Sequence, residues 1–171
     1  EHVVFPVEKQ KNSFRSEHGL DGKFVVQYSG RMGRAHNLEL LIDAAERLKD
    51  DDIIFQLIGD GAKTRVLQQM VARKGLTNVQ FLAYQPVERL AEVFSAPDIA
   101  VVCLESCFTG ICVPSKAYGI MAAGVALLGC MDIESEIGLT LKENDCGVVL
   151  SDTDGEQVAE MIKDLAGDSD R

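Results

Sequence analysis

Glycines and basic residues occur together in the stretch "SGRMGRAHN", residues 29–37. Gly30 and Gly33 can bring the main chain close to a ligand or adopt a positive φ, because they carry no side chain. Arg31 and Arg34 can donate charge-assisted, forked hydrogen bonds to phosphate oxygens, and His36 is close enough in sequence to contribute. These residue types indicate a diphosphate site. The alternative is that both arginines are solvated or paired with surface carboxylates.

A lysine lies in the first turn of a predicted helix in "VPSKAYGIMAAG", residues 113–124. The N-terminal end of a helix carries partial positive charge and favours Asp or Glu, so Lys116 opposes the helix dipole. Pro114 stiffens the preceding turn, and Ser115 is predicted to cap the helix. For a solvated lysine, this unfavourable interaction with the dipole costs only ~0.3 to 1 kcal/mol. A bound diphosphate would make the charge of the lysine favourable instead. We therefore predict that Ser115 and Lys116 belong to an anion site, with a solvated lysine as the alternative.

A second glycine-rich stretch, "GDGAKT" at residues 59–64, contains Gly59 and Gly61. It matches neither the GxGxxG dinucleotide fingerprint nor the phosphate-loop pattern GxxxxGK[ST], and "SGRMGR" also lacks both. Asp60 follows a predicted strand, where a dinucleotide-binding fold has its ribose-binding acid. An NAD-binding domain is therefore an alternative interpretation.

Strand and helix patterns alternate from residue 23 to the end of the chain. Short apolar or β-branched runs predict six strands, and apolar residues at helical spacing predict a helix after each of them. The predicted strands cover residues 23–28, 52–59, 78–83, 99–104, 125–130 and 147–150. The predicted helices lie near residues 38–48, 62–74, 86–95, 115–123, 133–143 and 155–166.

Such strands, flanked by amphipathic helices, predict a parallel sheet that is covered on both faces. The expected fold is an α/β, Rossmann-like doubly wound sheet of about six strands. Ligands of such sheets bind beyond the carboxyl ends of the strands, where Arg31 directly follows the first strand. Residues 1–22 lack periodicity and are predicted to be a linker or surface segment, and residues 23–171 form the domain.

The composition excludes several classes of function. A formal net charge of −10 argues against nucleic-acid and anionic-membrane surfaces, which are bound by clustered Lys and Arg. No run approaches the ~18 to 20 apolar residues of a membrane span. The five cysteines form no CxxC pair or zinc-ligand spacing, which predicts reduced thiols in a cytoplasmic protein without a metal site. The opening "EHVVFPVEKQ" has neither a methionine nor a basic leader, which suggests an excised fragment.

The order of these motifs resembles the C-terminal domain of the group 1 (family 4) retaining glycosyltransferases. The resemblance covers nearly the whole chain from Lys23. Its segments are "YSGRMGRAHNLELLIDAAERL", "FQLIGDGA", "NVQFLAYQPVERLAEVFSAPDIAVVCL", "VPSKAYGIMAAG" and "NDCGVVL". The form "PSKxYGxMAxG" resembles bacterial enzymes that build polysaccharide, capsule or O-antigen units, including fucosyl- and fucosaminetransferases.

The resemblance implies one half of a GT-B fold, in which this domain binds a UDP- or GDP-linked sugar without a further cofactor or metal. Residues 1–22 would then come from the acceptor domain that is missing from the chain. That N-terminal domain would bind a glycan or lipid-linked acceptor, at the inner face of the membrane in the full-length protein. The fragment alone is expected to bind a nucleotide sugar without transferring it.

The resemblance also implies roles for individual residues. Arg31 and a second cation neutralise the donor diphosphate. Many relatives take that second cation from a lysine in the first loop, where this chain has Arg34 and His36, and Lys116 is a further candidate. Residues 83–86, with Tyr84, bracket the nucleobase, and Gly59 and Gly61 permit close approach beside it.

One part of the family pattern is absent. Typical relatives carry two glutamates separated by seven residues, the second of which contacts the ribose, whereas the matching positions here are Ile111 and Gly119. Glu134 and Glu136 follow the fifth predicted strand and are candidates for this contact. Solvated acids are the alternative.

The chemistry that these residues could support is stabilisation of a leaving nucleoside diphosphate by cations and helix N-termini. The sequence offers no acid/base pair or nucleophilic triad within the domain. A sugar-nucleotide epimerase of the same architecture is an alternative that needs acid/base groups facing the sugar. A receiver-type regulatory domain would need acidic residues after the first strand, where the chain has Tyr28, Ser29 and Gly30.

Overall fold

The computed structural model describes residues 4–167, in which six strands form one parallel sheet. The strand order is β3-β2-β1-β4-β5-β6, and every neighbouring pair runs parallel. The strands are β1 (Phe24–Ser29), β2 (Ile53–Ile58), β3 (Val79–Leu82), β4 (Ile99–Cys103), β5 (Leu127–Cys130) and β6 (Gly147–Leu150). This order is that of the doubly wound dinucleotide-binding fold, which confirms the predicted architecture.

Helices cover both faces of the sheet. They are α1 (Ser13–Glu17), α2 (Glu39–Arg47), α3 (Thr64–Lys74), α4 (Leu90–Ser95), α5 (Lys116–Ala122), α6 (Glu136–Asn144) and α7 (Gly155–Gly167). The apolar faces of α2, α3 and α7 pack on one side of the sheet, and those of α1, α4, α5 and α6 pack on the other. A helix follows each strand, as predicted, although α4 begins only at Leu90 because Val87–Arg89 form a 3-10 turn after Pro86.

A row of three glutamines crosses the buried sheet. Gln27, Gln56 and Gln80 occupy the same register in β1, β2 and β3. The Gln27 amide donates to Gln56 Oε1 at 3.2 Å, and the Gln56 amide donates to Gln80 Oε1 at 3.0 Å. The Gln80 amide donates in turn to the main-chain oxygen of His18 at 3.3 Å. β1, β2 and β3 are therefore joined by side chains as well as by main-chain hydrogen bonds.

The N-terminal segment, predicted to be a linker or surface segment, packs against the domain at residues 12–20. Phe14 and Leu20 are fully buried, and the Asn12 side chain accepts a hydrogen bond from Arg15 N at the start of α1. The sequence analysis missed this helix because its two apolar side chains are too few to show a helical period. The proposed origin of residues 1–22 in another domain stays a prediction, and residues 1–3 and 168–171 of the predicted ranges lie outside the described residues.

Arg15 joins this segment to the amino ends of two central strands. Its guanidinium group is buried and donates to the main-chain oxygens of Leu20 at 2.7 Å, Lys23 at 3.0 Å and Ala96. It also lies 3.5 Å from the carboxylate of Asp98, which accepts from Val25 N at the start of β1. Burial of this charged group is tolerated because both of its terminal nitrogens have hydrogen-bond partners.

Candidate functional site

The direction of chain crossover reverses between β1 and β4, and their carboxyl ends lie side by side. In doubly wound sheets, ligands bind in the crevice at this switch point. The two loops that leave it are residues 30–38 after β1 and residues 104–115 after β4. They are joined directly, because Glu105 N donates to the main-chain oxygen of Ala35 at 2.9 Å.

A cavity of about 190 Å³ lies between these two loops and the start of α5. Gly30, Arg31, His36, Ser115 and Lys116 line it, so the structure brings together five of the predicted site residues. In the described part of the chain, Arg31 and Lys116 form no ion pair, and no carboxylate lines the cavity. Two cations without counter-charges in a chain of net charge −10 make this cavity suited to an anion.

The first loop is fixed by contacts with its own strand and with the loop after β2. The buried Tyr28 hydroxyl donates to the main-chain oxygen of Arg31 at 2.8 Å, and burial raises the pKa of this phenol far above its usual range. Met32 is fully buried, its N–H donates to Asp60 O at 3.0 Å, and its carbonyl accepts from Lys63 N at 2.9 Å. These bonds hold the main chain on both sides of Arg31.

Gly59 and Gly61 allow the two loops to approach each other. A Cβ atom on Gly59, whose φ is +131°, would lie 1.9 Å from the main-chain oxygen of Gly30. A Cβ atom on Gly61 would lie 2.4 Å from the main-chain oxygen of Met32. The close approach that these glycines permit in the described structure is therefore between two stretches of main chain, and neither residue lines the cavity.

His36 is held by both its ring and its main chain. Its Nδ1 lies 2.7 Å from the main-chain oxygen of Cys103, the last residue of β4. Its own carbonyl accepts from Lys63 Nζ at 2.9 Å, and Lys63 also pairs with Glu39 at 2.8 Å. The sequence analysis did not assign Lys63 or Glu39 to the site, and no local pattern could have shown a pair that is formed across two loops.

The start of α5 differs from the prediction in one respect. Ser115 has helical φ and ψ values, and its hydroxyl makes no capping hydrogen bond. The first helical turn is closed by Ala117 N, which donates to the carbonyl of Pro114 at 3.0 Å. The prediction of a Ser115 cap is therefore wrong, and the side chains of Ser115 and Lys116 are exposed at the mouth of the cavity.

The two positions at which relatives carry glutamates have different surroundings. Ile111 is 79% exposed, and a Cβ atom on Gly119 would lie 2.9 Å from the ring of Phe94 in α4. Gly119 thus allows α5 to pack closely against α4. Glu136, the first residue of α6, accepts a hydrogen bond from the Tyr118 hydroxyl, and this bond raises the pKa of the phenol.

Four other predicted site residues lie outside the cavity lining, namely Gly33, Arg34, Tyr84 and Glu136. Arg34 is exposed on the first loop. Tyr84 follows β3, is 53% exposed, and its hydroxyl lies 3.4 Å from the main-chain oxygen of Asp60. The structure therefore divides the predicted set into residues of the cavity and residues on the surrounding surface.

A larger cavity of about 910 Å³ lies at the opposite edge of the sheet, against the amino ends of β1, β4, β5 and β6. Asp98 and Asp145 line it, and its one lining cation, Lys9, is paired with Asp98. It is therefore less suited to an anion than the cavity at the switch point. Residues 4–167 contain no cluster of metal-ligating side chains, and none of their helices is long and apolar enough to cross a bilayer.

The fold and the cavity together define a class of protein: a Rossmann-like α/β domain with a cavity lined by two cations at its switch point. The sequence family described as "Glycosyl transferases group 1" matches residues 10–171. The chain therefore belongs to the group 1 glycosyl transferases. Its fold is one half of the GT-B architecture of its structural neighbours.

The similar proteins are longer than this chain. The Pseudomonas aeruginosa protein named "Probable glycosyltransferase WbjE" is 29% identical over 165 residues, which are 96% of this chain and 41% of WbjE. WcaI of Escherichia coli (strain K12), named for colanic acid biosynthesis, is 31% identical over 118 residues, 69% of this chain and 29% of WcaI. The Anabaena HepE structure, a complex with UDP and glucose, has a TM-score of 0.79 at 19% identity and covers 96% of this chain and 45% of HepE.

Proposed function

We propose that this domain binds a nucleotide sugar and that the cavity between β1 and β4 receives its diphosphate. The observation that carries the proposal is the pair of cations, Arg31 and Lys116, which line one cavity from two loops without a lining carboxylate. A diphosphate supplies the negative charge that this arrangement lacks, and its oxygens accept charge-assisted hydrogen bonds. The HepE complex with UDP and glucose supports a uridine or related nucleotide as the ligand class.

The size of the cavity supports a binding site to which a second domain also contributes. Its volume of about 190 Å³ is below the roughly 300 to 1,000 Å³ of pockets that enclose a whole small molecule. We infer that the diphosphate lies in the cavity and that the rest of the ligand lies across the exposed surface. The opposite wall would come from an acceptor-binding domain in the full-length protein, and the domain alone would bind the donor without transferring the sugar.

The order of the strands suggests where the two ends of the ligand lie. Tyr84 follows β3 and Glu136 follows β5, four strand spacings apart, which is roughly 19 Å at the sheet. The two residues therefore lie on opposite sides of the cavity, whose loops follow β1 and β4. We propose that the nucleobase lies near Tyr84 and that Glu136, held by Tyr118, faces the sugar side.

In the full-length protein, we propose a retaining transferase that moves a hexose-type sugar to a glycan or lipid-linked acceptor of a bacterial surface polysaccharide. The name of WcaI, with its reference to colanic acid biosynthesis, supports this class of product. The form "PSKAYGIMAAG" supports a fucosyl- or fucosaminetransferase-like subtype. Arg31 and Lys116 would stabilise the charge that develops on the departing diphosphate.

Binding of a nucleoside diphosphate is expected to stabilise the folded domain. At a hundredfold excess over Kd, the free energy of unfolding should rise by about 2.7 kcal/mol, because the ligand binds only the folded state. Urea unfolding with UDP, GDP, ADP and their sugars measures this rise, and NAD provides the control. No change with any of these nucleotides at millimolar concentration would contradict the proposal, and stabilisation by NAD alone would support a dinucleotide-binding domain instead.

Removal of either cavity cation is expected to weaken binding without unfolding the domain. Charged hydrogen bonds contribute roughly 1.5 to 3 kcal/mol, so Arg31→Ala and Lys116→Ala should each lower the affinity for the preferred diphosphate about 10- to 150-fold. Arg34→Ala is the matched control, since Arg34 is an exposed cation of the same loop outside the cavity lining. Calorimetric titration measures the three affinities. Wild-type affinity in both cavity variants, or an equal loss in Arg34→Ala, would contradict the assignment.

A further inference from the structure

The hydrogen-bonding state of the His36 ring is set by the protein. A carbonyl oxygen only accepts hydrogen bonds, so the Nδ1 atom that lies 2.7 Å from Cys103 O must carry the hydrogen. The contact between Lys63 Nζ and His36 O fixes the main chain of the same residue. Rotation of the ring to present Nδ1 to a ligand would break the bond to β4.

The other ring nitrogen, Nε2, is therefore the atom available to a ligand. Within residues 4–167 it has no hydrogen-bond partner, and the ring lines the same cavity as Arg31 and Lys116. In the neutral ring with its hydrogen on Nδ1, Nε2 presents a lone pair, which repels a phosphate oxygen. In the imidazolium ion, Nε2 presents an N–H group, which can form a charge-assisted hydrogen bond with that oxygen.

We propose that His36 couples binding of the donor diphosphate to uptake of one proton from solvent at Nε2. This proposal rests on the proposed function. It adds one requirement, the uptake of a proton, which binding by Arg31 and Lys116 does not include. The proton joins the ring nitrogen, no covalent bond of the ligand is broken, and the proton is released when the diphosphate leaves. Because a proton is taken up on binding, the affinity is highest at acidic pH and falls as the pH is raised.

The other charged or titratable groups around the ring differ from His36 in their behaviour near neutral pH. They are Tyr28, Arg31, Glu39, Lys63, Cys103, Glu105, Cys112 and Lys116. Burial raises the pKa of Tyr28, and a hydrogen bond with Cys130 together with burial raises that of Cys103, so both groups stay neutral. Histidine is the side chain that ordinarily changes charge between pH 5 and 8. The Cys112 thiol also lines the cavity, so a Cys112→Ala variant is used to distinguish its contribution from that of His36.

Calorimetric titration with UDP-glucose and with GDP-fucose tests the proposal. The diphosphate of a nucleotide sugar is esterified at both ends, so the ligand itself does not titrate near neutral pH. We expect the affinity to fall about tenfold or more between pH 6 and pH 8, the limit for one proton being tenfold per pH unit. At one pH, buffers with different heats of ionisation should show net proton uptake on binding. Loss of either effect in Cys112→Ala would assign that effect to the Cys112 thiol instead of to His36.

Two variants separate the ring from the rest of the site. His36→Gln should bind more weakly than the wild type at low pH, since its amide donates only a neutral hydrogen bond, and His36→Lys should bind tightly, in both cases with little dependence on pH. Binding of the wild type without proton uptake, or a pH dependence that persists in His36→Gln, would overturn the inference and leave the proposed function intact. Failure of these two nucleotide sugars, and of every other nucleotide in the unfolding series, to bind at any pH would overturn the proposed function and the inference with it. The wild-type buffer series decides the matter even if a variant does not fold.

Discussion

Replacement of Arg15 by alanine is expected to lower the free energy of unfolding by about 3 to 5 kcal/mol, because several hydrogen bonds from one buried charged group are lost together. The variant would leave the carbonyls of Leu20, Lys23 and Ala96 without their donor, and Asp98 would lose a positive charge nearby. Urea unfolding of the wild type and the variant measures the difference.

A surface arginine provides the control for this experiment. Arg47 forms an ion pair with Glu156, and both side chains are about half exposed. Arg47→Ala should therefore cost less than about 1 kcal/mol. A loss below about 1 kcal/mol in Arg15→Ala as well would mean that water satisfies the same carbonyls and that the N-terminal segment adds little to the domain.

Substitution of Gly59 by alanine is expected to destabilise the domain by roughly 3 kcal/mol or more, because positive-φ strain and a steric clash are added together. The new Cβ atom would lie 1.9 Å from the main-chain oxygen of Gly30, which cannot move without shifting the first loop. Since Arg31 follows Gly30 directly, the affinity for a diphosphate should fall along with stability. Urea unfolding and calorimetric titration of the same variant measure both effects.

Gly75 separates the two contributions. It also has a positive φ, +63°, but a Cβ atom there would meet nothing within 4 Å. Gly75→Ala should therefore cost only the ~1 to 2 kcal/mol of a left-handed residue and leave ligand affinity unchanged. Equal losses in the two variants would show that the loops tolerate the Cβ atom of residue 59.

The elements of the fold could be predicted from sequence because their signals are local. Runs such as "IIFQLI" and the helical spacing of Leu41, Ile42 and Ala45 report burial on one or both faces, and these predictions are confirmed. The position of the cavity could also be predicted, because the loops after β1 and β4 carry the glycines and cations. The order of the strands then places those loops side by side.

Other features depend on residues that are distant in sequence. The main chain of His36 is fixed by Lys63, and the ring is oriented by a carbonyl of β4, 67 residues away along the chain. The burial of Arg15 depends on carbonyls that the fold brings to it. Ser115 has the residue type of a helix cap, but its helical main chain leaves its hydroxyl unable to serve as one. None of these outcomes has a local pattern.

The row of glutamines across β1, β2 and β3 makes misaligned pairing of these strands unfavourable. A slip of two residues keeps every side chain on its own face, so hydrophobic burial alone penalises it weakly. After such a slip, Gln56 would lie opposite Val25 or Ser29 in β1 instead of Gln27. A buried amide without a partner costs about 1 to 3 kcal/mol, and both hydrogen bonds of the row would be lost together. The row thus disfavours a misaligned pairing of β1 with β2, in which the loop after β2 would no longer meet the main chain of Gly30 and Met32 in the first loop.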